Sequence, residues 1–246
     1  MAGGLERPPR RIGRPDEWVL HDGPTPCGYL ADRVARIPLR LPVRPLTPEE
    51  SAERLREGDR RQGLLLYQPA CSGCQACEAI RLPVAAFRAS RSQRRAFRQG
   101  EMLLDVTTGP PTTTPEKVTL YNRHKLERDL ALGDDLLDEA SYHELFVESC
   151  TDTLEIEYRR EGRLVGVALI DVASDALSAV YTYFDPGVRG VSIGTYSILK
   201  QIEFCRRLDL PYLYLGLWVA GSPPMQYKLF FRPHQRRIDG EWRDFD

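Results

Sequence analysis

Three cysteines, Cys71, Cys74 and Cys77, stand three residues apart in the segment YQPACSGCQACEAIR, and Cys27 lies farther toward the N-terminus. Thiolates at this spacing can hold a zinc ion or an iron–sulfur cluster. A disulfide framework is not expected, because the thiols of cytosolic proteins stay reduced. The sequence therefore predicts either a soft-metal site, with Cys27 as the fourth ligand, or a loop held together by buried thiols.

Arginines crowd the segment that follows, at Arg81, Arg88, Arg91, Arg94, Arg95 and Arg98. Ser90 and Gln93 form the pattern of a capping box, which predicts a helix that begins near Arg91. On that helix Arg91, Arg95 and Arg98 would share one face. Such a stripe can bind the phosphates of RNA, can hold a carboxylate in bidentate fashion, or can be a solvated basic surface.

Charge is distributed unevenly along the chain, although the formal net charge of its 246 residues is only −1. Residues 1–100 carry 18 basic and 11 acidic side chains, whereas residues 101–161 carry 6 basic and 15 acidic ones. Thirty of the 34 basic residues are arginine, which suits contacts with phosphate but also follows from a GC-rich genome. The clustering of arginine is therefore more informative than its number.

Neither secretion nor membrane insertion is indicated. No apolar run approaches the roughly 18 residues that a membrane-spanning helix needs, and the segment MAGGLERPPRRIGRPDEW has no apolar stretch after its charges. We expect a disordered lead over residues 1–25 and a cytoplasmic protein without a membrane partner.

Proline and threonine mark a break in the chain at TTGPPTTTP, residues 107–115. The break divides a Cys- and Arg-rich N-terminal domain, residues 26–106, from a C-terminal domain, residues 116–246. In the second domain, two helical segments precede three strands, TLEIEYRR, RLVGVALIDVA and ALSAVYTYFD. The helical pattern VSIGTYSILKQIEFCRRL and the strand PYLYLGLWV follow. The predicted fold class is therefore α+β.

This order of elements resembles that of the GNAT-type acyltransferases. In that fold, the turn before the helix holds the phosphates of the acyl donor at the helix N-terminus. The corresponding turn here is RGVSIG, from Arg189 to Gly194. The acetyl-CoA pattern R-x-x-G-x-G needs glycine at position 192, where this chain has Ser192. The fold agrees with a GNAT-like domain, whereas a CoA-dependent N-acetyltransferase is an alternative that lacks its fingerprint.

Longer motifs carry a closer resemblance. The segments YQPACSGCQACEAIR, FRASRSQRR, SAVYTYFDP, GTYSILKQIEF, LPYLYLGLWV and MQYK resemble, in this order, those of the aminoacyl-tRNA–protein transferases. The nearest branch is the bacterial one that transfers leucine to proteins beginning with aspartate or glutamate. The resemblance extends from Pro26 to Trp242. It implies a small N-terminal domain joined to a GNAT-like transferase domain, and an acceptor that is marked for N-degron degradation.

The implied reaction is attack of a protein α-amino group on the ester that joins an amino acid to tRNA. This ester is already activated, so the transfer requires neither ATP nor a cofactor, and no Ser-His-Asp arrangement is expected. Positioning and stabilisation of the oxyanion would supply the rate. The motifs imply catalytic roles for Tyr183, Tyr196, Tyr227 and Lys228, with Tyr181 on the same strand face as Tyr183.

The resemblance also bears on the arginines and cysteines. It favours aminoacyl-tRNA as the partner of the six arginines, with Arg189 and Gly194 in the donor turn, and the acidic terminus of the acceptor as a second partner. Iron–sulfur binding is associated with the N-terminal cysteines of the eukaryotic relatives, which favours a cluster or zinc at the four cysteines. Alternatives stay open: arginine as the donor amino acid, tyrosines that only pack the core, and a non-catalytic metal-binding RNA module. The oligomeric state is not predicted.

Overall fold

The computed structural model describes residues 16–130 and 136–246. As far as Tyr67, the chain forms a four-stranded sheet, a two-stranded ribbon and one helix. Their bounds are β1 Glu17–His21, β2 Pro24–Pro26, β3 Val34–Arg36, β4 Leu39–Pro42, α1 Pro48–Glu57, β5 Arg60–Gln62 and β6 Leu65–Tyr67. The sheet has the order β1-β4-β6-β5, and β2 pairs with β3.

The rest of the chain builds a larger sheet and the helices that cover it. Their bounds are β7 Cys77–Pro83, α2 Arg91–Leu103, β8 Asp105–Gly109, α3 Pro115–Glu127, α4 Glu139–Tyr142, a π-helix His143–Val147, β9 Thr153–Arg160, β10 Arg163–Ala173, β11 Ala176–Phe184, α5 Ile193–Arg207, β12 Tyr212–Val219, a 3₁₀ helix Pro223–Phe230, β13 His234–Ile238 and β14 Glu241–Phe245. In the part of the chain that these bounds cover, no helix has the length and apolar character needed to cross a bilayer.

The larger sheet has eight strands in the order β14-β13-β7-β12-β11-β10-β9-β8. Strands β9, β10 and β11 are antiparallel neighbours, α5 follows, and β12 pairs with β11 in parallel. This is the order that the sequence predicts for a GNAT-like domain, and the α+β fold class is confirmed. The turns Glu161-Gly162 and Asp239-Gly240 join the hairpins β9–β10 and β13–β14, and all four residues have positive φ.

Local signals determine where α2 begins. The Ser90 hydroxyl accepts a hydrogen bond from the backbone N–H of Gln93, and the Gln93 side chain accepts one from the N–H of Ser90. Thr47 and Glu50 form the same capping box at α1, and Gly58 ends that helix with φ 94°. These caps satisfy backbone groups that a helix leaves free, and α2 begins where the sequence predicts.

Different helices cover the two faces of the large sheet. Helices α2 and α5 cover one face, in a core that includes Val165 and Ala168 of β10. Val167 and Leu169 alternate with them and belong to a second core, formed with α3 and the π-helix. Helix α1 covers this second face farther along, beside Ala176 of β11.

Several boundaries predicted from the sequence are corrected. Residues 1–15 lie outside the described residues, but residues 16–25 contain β1 and the start of β2 instead of a disordered lead. Strand β1 is held because Glu17 is fully buried and accepts a hydrogen bond from Arg40. The break at 107–115 begins inside β8, which pairs with β9. The division at residue 106 does not follow the sheets, because β7 lies between β12 and β13.

The large sheet opens between β11 and β12. These strands are paired from Ala176 to Ser178, opposite Tyr212 to Tyr214. Beyond that point, β11 stays paired with β10 and β12 with β7. Both strands are irregular where they part: the register of β11 shifts around Val180, and Gly216 of β12 has φ 84°. We call this opening the strand split.

Candidate active site

An arginine from the N-terminal sheet lies at the strand split. Arg60 of β5 donates from Nη1 to Ser178 Oγ at 2.8 Å and from Nη2 to the Ala179 carbonyl oxygen at 2.7 Å. Arg60 is 7% exposed. A Cβ at Gly216 would lie 3.2 Å from Nη2 of Arg60, so glycine at this bulge provides both the positive φ and the space for the guanidinium.

Lys228 reaches the other strand of the split from the 3₁₀ helix. Its Nζ donates to the carbonyl oxygen of Leu217 in β12 at 2.5 Å, and the residue is 6% exposed. Burial and the nearby Arg60 guanidinium lower the pKa of Lys228 to about 7. A pKa moved by burial and by a specific charge is typical of functional sites.

Tyr227 precedes Lys228 and lies at the surface beside it. The centroid of its ring is 5.9 Å from Lys228 Nζ, and 47% of the residue is exposed. The structure therefore brings the predicted residues Tyr227 and Lys228 to the strand split, together with Arg60.

Arg60 is the residue that sequence reasoning missed. It stands in the charged run LREGDRRQG, where nothing distinguishes it from Arg56 or Arg61. Its hydrogen-bond partners lie 118 and 119 positions later in the chain. Because no local pattern encodes a contact over that separation, only the fold reveals its place.

Tyr183 is packed in the second core. Tyr181 and Tyr183 share one face of β11, as predicted, and both contact the aromatic residues of α3 and the π-helix. Tyr183 is fully buried, and its hydroxyl oxygen lies 2.5 Å from that of Tyr142. Burial raises the pKa of Tyr183, so the hydroxyl stays protonated. The structure gives Tyr183 the packing role that the sequence left open as an alternative.

Tyr196 is buried between α5 and α2 and is not brought to the strand split. Its hydroxyl donates to Glu101 Oε1 at 2.5 Å, and its ring contacts Phe97 and Tyr158. A Cβ at Gly100 would lie 2.1 Å from this ring, which shows how closely α2 approaches α5. Tyr196 therefore joins two helices in the described structure.

Arg81 is also buried, in contrast to the surface position that a tRNA contact requires. Its Nε donates to Gln235 Oε1 at 2.7 Å and its Nη1 to the Tyr214 hydroxyl at 2.9 Å. Its guanidinium carbon lies 3.9 Å from the centroid of the Tyr212 ring and 4.1 Å from that of Trp242. These contacts join β7 to β12, β13 and β14, so Arg81 stabilises the sheet.

The other five arginines of the segment lie at the surface: Arg88, Arg91, Arg94, Arg95 and Arg98. We call Arg91, Arg95 and Arg98 the basic face of α2. None of the three has an acidic partner among the residues that the structure describes. Gln93, on the buried side of α2, donates from Nε2 to the carbonyl oxygen of Phe230 at 3.0 Å. Helix α2 thus contacts the 3₁₀ helix that carries Lys228.

The predicted donor turn precedes α5. Arg189 is exposed, and its carbonyl oxygen accepts a hydrogen bond from Arg160. Ser192, which precedes the first residue of α5, makes no side-chain capping bond. A Cβ at Gly194 would lie 3.2 Å from the Phe184 ring, so this glycine lets α5 approach β11. The donor-binding roles of Arg189 and Gly194 stay predictions.

Among the described residues, no cluster of three or more His, Cys, Asp or Glu side chains is placed to hold a metal ion. Cys27, Cys71, Cys74 and Cys77 are free and half-buried. Burial raises the pKa of the Cys77 thiol to about 11, and the other three thiols contribute. A metal requires deprotonated thiolates that converge on one point. The four thiols share one region, and zinc or an iron–sulfur cluster at these cysteines stays a prediction, which metal analysis of the purified protein would test.

Two family models match the chain on either side of the break in its sequence. The model described as "Arginine-tRNA-protein transferase, N terminus" matches residues 25–95, and the one described as "Arginine-tRNA-protein transferase, C terminus" matches residues 116–238. A tandem GNAT protein from the clavulanic acid biosynthesis pathway superposes on 92% of this chain and 80% of its own, with 14% identity and a TM-score of 0.40. That value is too low to carry an argument.

Curated relatives are similar over most of the chain. The aspartate/glutamate leucyltransferase of Methylobacillus flagellatus is 39% identical over 217 residues, which are 88% of this chain and 87% of the relative. The aspartate/glutamate leucyltransferase of Stenotrophomonas maltophilia strain R551-3 is 39% identical over 240 residues, 95% of both chains. With both family models matched and such relatives aligned over nearly its whole length, the chain belongs to the aminoacyl-tRNA–protein transferase family, in the branch of the aspartate/glutamate leucyltransferases.

Proposed function

We propose that this protein transfers leucine from leucyl-tRNA to the α-amino group of proteins whose first residue is aspartate or glutamate. The observation that carries the proposal is the 39% identity, over 88% of the chain, with a relative named aspartate/glutamate leucyltransferase. We further infer that the reaction takes place in the cytoplasm, where charged tRNA is found, and that it marks the acceptor for degradation.

The transfer exchanges an ester for an amide. The acceptor nitrogen forms a bond to the carbonyl carbon of leucine, the bond from that carbon to the ribose oxygen breaks, and the ribose oxygen receives the proton that the amine gives up. An α-amino group has an ordinary pKa of about 7.7–8.0, so neutral amine is present at neutral pH. The protein has to align the two substrates and stabilise the oxyanion.

The strand split is the place that we propose for this chemistry. Tyr227 lies beside Lys228, and burial raises the pKa of its hydroxyl, so the hydroxyl stays protonated and can donate to an oxyanion that forms at the split. The basic face of α2 and the turn with Arg189 and Gly194 are proposed to hold the tRNA. Support for this arrangement comes from the hydrogen bond between Gln93 and the 3₁₀ helix, because it fixes the helix that carries the basic face against the element that carries Tyr227 and Lys228.

Arginine as the donor amino acid is the second candidate, since the matching family models carry the name of the arginine-tRNA-protein transferases. It keeps the chemistry and changes only the pocket for the donor side chain. A CoA-dependent acetyltransferase is disfavoured by Ser192, which stands where the CoA-binding turn requires glycine.

A transfer assay tests the proposal directly. Purified protein is incubated with radiolabelled leucyl-tRNA or arginyl-tRNA and with peptides that begin with Asp, Glu or Ala. We expect leucine on the Asp and Glu peptides and none on the Ala peptide. Transfer of arginine would change the donor, whereas no transfer from either tRNA would contradict the enzyme reading and favour a non-catalytic RNA-binding module.

A further inference from the structure

Two buried cations lie close together at the strand split, and neither has an anion beside it in the part of the chain that the structure describes. In the ranges 16–130 and 136–246, no carboxylate lies within salt-bridge distance of Arg60 or Lys228. The Arg60 charge contributes to the lowered pKa of Lys228, so the two groups repel each other. A buried charge without a counter-charge is unfavourable. We call these two residues the cation pair.

Among the described residues, the other buried arginines and lysines have a carboxylate partner, except Arg81, which lies against the rings of Tyr212 and Trp242. Arg61, the next residue after Arg60, binds Asp171 at 2.8 Å. Lys117, buried like Lys228, pairs with Glu155 and lies 2.9 Å from Glu157. The described residues therefore supply a carboxylate to a buried arginine and to a buried lysine, and none of them supplies one to the cation pair. Among the residues that the structure describes, no anion compensates the cation pair, which leaves this place open to the anionic group of a substrate.

The cation pair still has hydrogen-bond donors to offer. Arg60 uses one N–H for Ser178 and one for Ala179, and a guanidinium has further N–H groups. Lys228 donates to the Leu217 carbonyl oxygen, and an ammonium likewise has more than one N–H. A carboxylate only accepts hydrogen bonds and has two oxygens, so it matches a guanidinium next to an ammonium.

We propose that the cation pair binds the side-chain carboxylate of the acceptor's first residue, aspartate or glutamate. This assignment rests on the proposed transfer to acidic N-termini and names the residues that select them. With its carboxylate on Arg60 and Lys228, the acceptor has its α-amino group a few bonds away, at the strand split beside Tyr227. The arginines on the surface of α2 are then left to the tRNA.

Burial favours a side-chain carboxylate over a phosphate of the tRNA. Arg60 is 7% exposed and Lys228 6% exposed, so the cation pair lies below the surface. Binding at this depth requires a narrow group such as a single side chain, whereas a phosphodiester carries a ribose on each side. Asparagine would leave both cations without a counter-charge, and a site built for a buried polar partner rejects analogues that lack it.

The test compares acceptor peptides that differ only in a first residue of Asp or Asn. The kcat/KM for transfer of leucine is measured for the wild type, Arg60→Gln and Lys228→Met. We expect each substitution to lower the ratio of kcat/KM for the Asp peptide to that for the Asn peptide about 100-fold. Lys228→Arg, which keeps the charge, should retain the preference for Asp.

Controls separate selectivity from folding. Arg56→Gln removes an exposed arginine of α1 and should leave the preference unchanged. If Arg60→Gln does not fold because its bonds to β11 are lost, Lys228→Met still tests the proposal, since it removes a buried charge. An equal loss on both peptides would overturn the proposal, because residues that only maintain the fold affect both acceptors alike.

Binding measurements distinguish failure of this inference from failure of the proposed function. Calorimetry without tRNA compares binding of the Asp and Asn peptides to the wild type and to Lys228→Met. If the wild type transfers no amino acid but prefers the Asp peptide, and Lys228→Met does not, the carboxylate site stands and the proposed function fails. If the wild type prefers neither peptide, the carboxylate site is refuted.

Discussion

Lys228 changes charge in the pH range where an α-amino group becomes a nucleophile. Its pKa is lowered to about 7 by burial and by Arg60, and the Leu217 carbonyl oxygen and the Tyr227 ring also lie next to its Nζ. A carboxylate that binds there raises this pKa again. At a pH between the pKa of Lys228 in the free protein and its pKa in the complex, binding of the carboxylate is coupled to uptake of a proton by Lys228. The affinity for the carboxylate therefore falls as the pH rises.

The preference for an acidic first residue should therefore weaken above neutral pH. We expect the ratio of the Kd values for Asn and Asp peptides to be constant below about pH 7 and to fall by up to about tenfold for each pH unit above it. The α-amino groups of the two peptides titrate alike, so their effect on Kd cancels in the ratio. Lys228→Arg should give a flat profile, because arginine stays protonated. A flat wild-type profile would mean that Lys228 does not meet the carboxylate.

The buried tyrosines should matter for stability more than for catalysis. Tyr183→Phe removes the hydroxyl that meets Tyr142, and we expect it to lower the free energy of unfolding by about 1 kcal/mol and to change kcat by less than about twofold. Tyr227→Phe, at the exposed edge of the split, should lower kcat without a comparable loss of stability. Urea unfolding measures the change in stability, and single-turnover transfer measures the change in rate. Loss of transfer in a Tyr183→Phe variant of unchanged stability would show that Tyr183 is catalytic.

At the scale of single elements, the basic face of α2 should determine how binding of tRNA depends on salt. Substitution of Arg91, Arg95 and Arg98 together by Gln removes three positive charges that have no acidic partner in the described structure. We expect the slope of log Kd for leucyl-tRNA against log salt concentration to fall by about 2, since each phosphate contact contributes roughly 0.7–0.9. The Kd is measured at several salt concentrations.

A matched variant controls for net charge. Arg56, Arg207 and Arg243 are exposed arginines on α1, α5 and β14, and their substitution by Gln changes the charge by the same amount. This variant should keep the salt slope of the wild type. Equal slopes for the two triple variants would show that α2 acts through overall charge and not as a binding surface.

Contact between α2 and α5 explains a glycine inside a helix. Gly100 lies against the buried Tyr196 ring, and a Cβ there would be 2.1 Å from a ring carbon. Alanine favours a helix by about 1 kcal/mol over glycine, but overpacking costs about 1–3 kcal/mol or more. We expect Gly100→Ala to destabilise the protein in urea unfolding. Gly109→Ala, which has nothing within 4 Å, is the control, and equal midpoints would contradict the close packing.

How far the sequence predicted the structure depends on the range of the contact. The cap at Ser90 depends on residues three positions apart, and the structure has it as predicted. The position of Arg60 depends on partners 118 and 119 residues away, which no local pattern contains. Motif membership likewise could not separate Tyr227, which lies at the split, from Tyr196, which packs between helices, because both are polar-ended aromatic residues.

At the scale of the whole molecule, the N-terminal segment completes the large sheet. Strand β7 lies between β12 and β13, and Arg61 of β5 forms a buried ion pair with Asp171 of β10. Arg60 contributes a second link, from β5 to β11. The proposed site is therefore incomplete without residues from both regions that the family models match, which explains why the two regions occur together in one chain.

This interleaving predicts that the chain unfolds as one cooperative unit. Trp18 lies in β1 of the small sheet and Trp218 in β12 of the large one. Variants that keep a single tryptophan report on each sheet separately, and we expect the same urea midpoint from both. Asp171→Asn, which weakens the buried pair between the sheets, should move both midpoints together. An earlier transition of Trp18 alone, with Trp218 unchanged, would instead show that residues 26–106 fold as an independent domain, and the strand split would then be assembled by docking of two separate units.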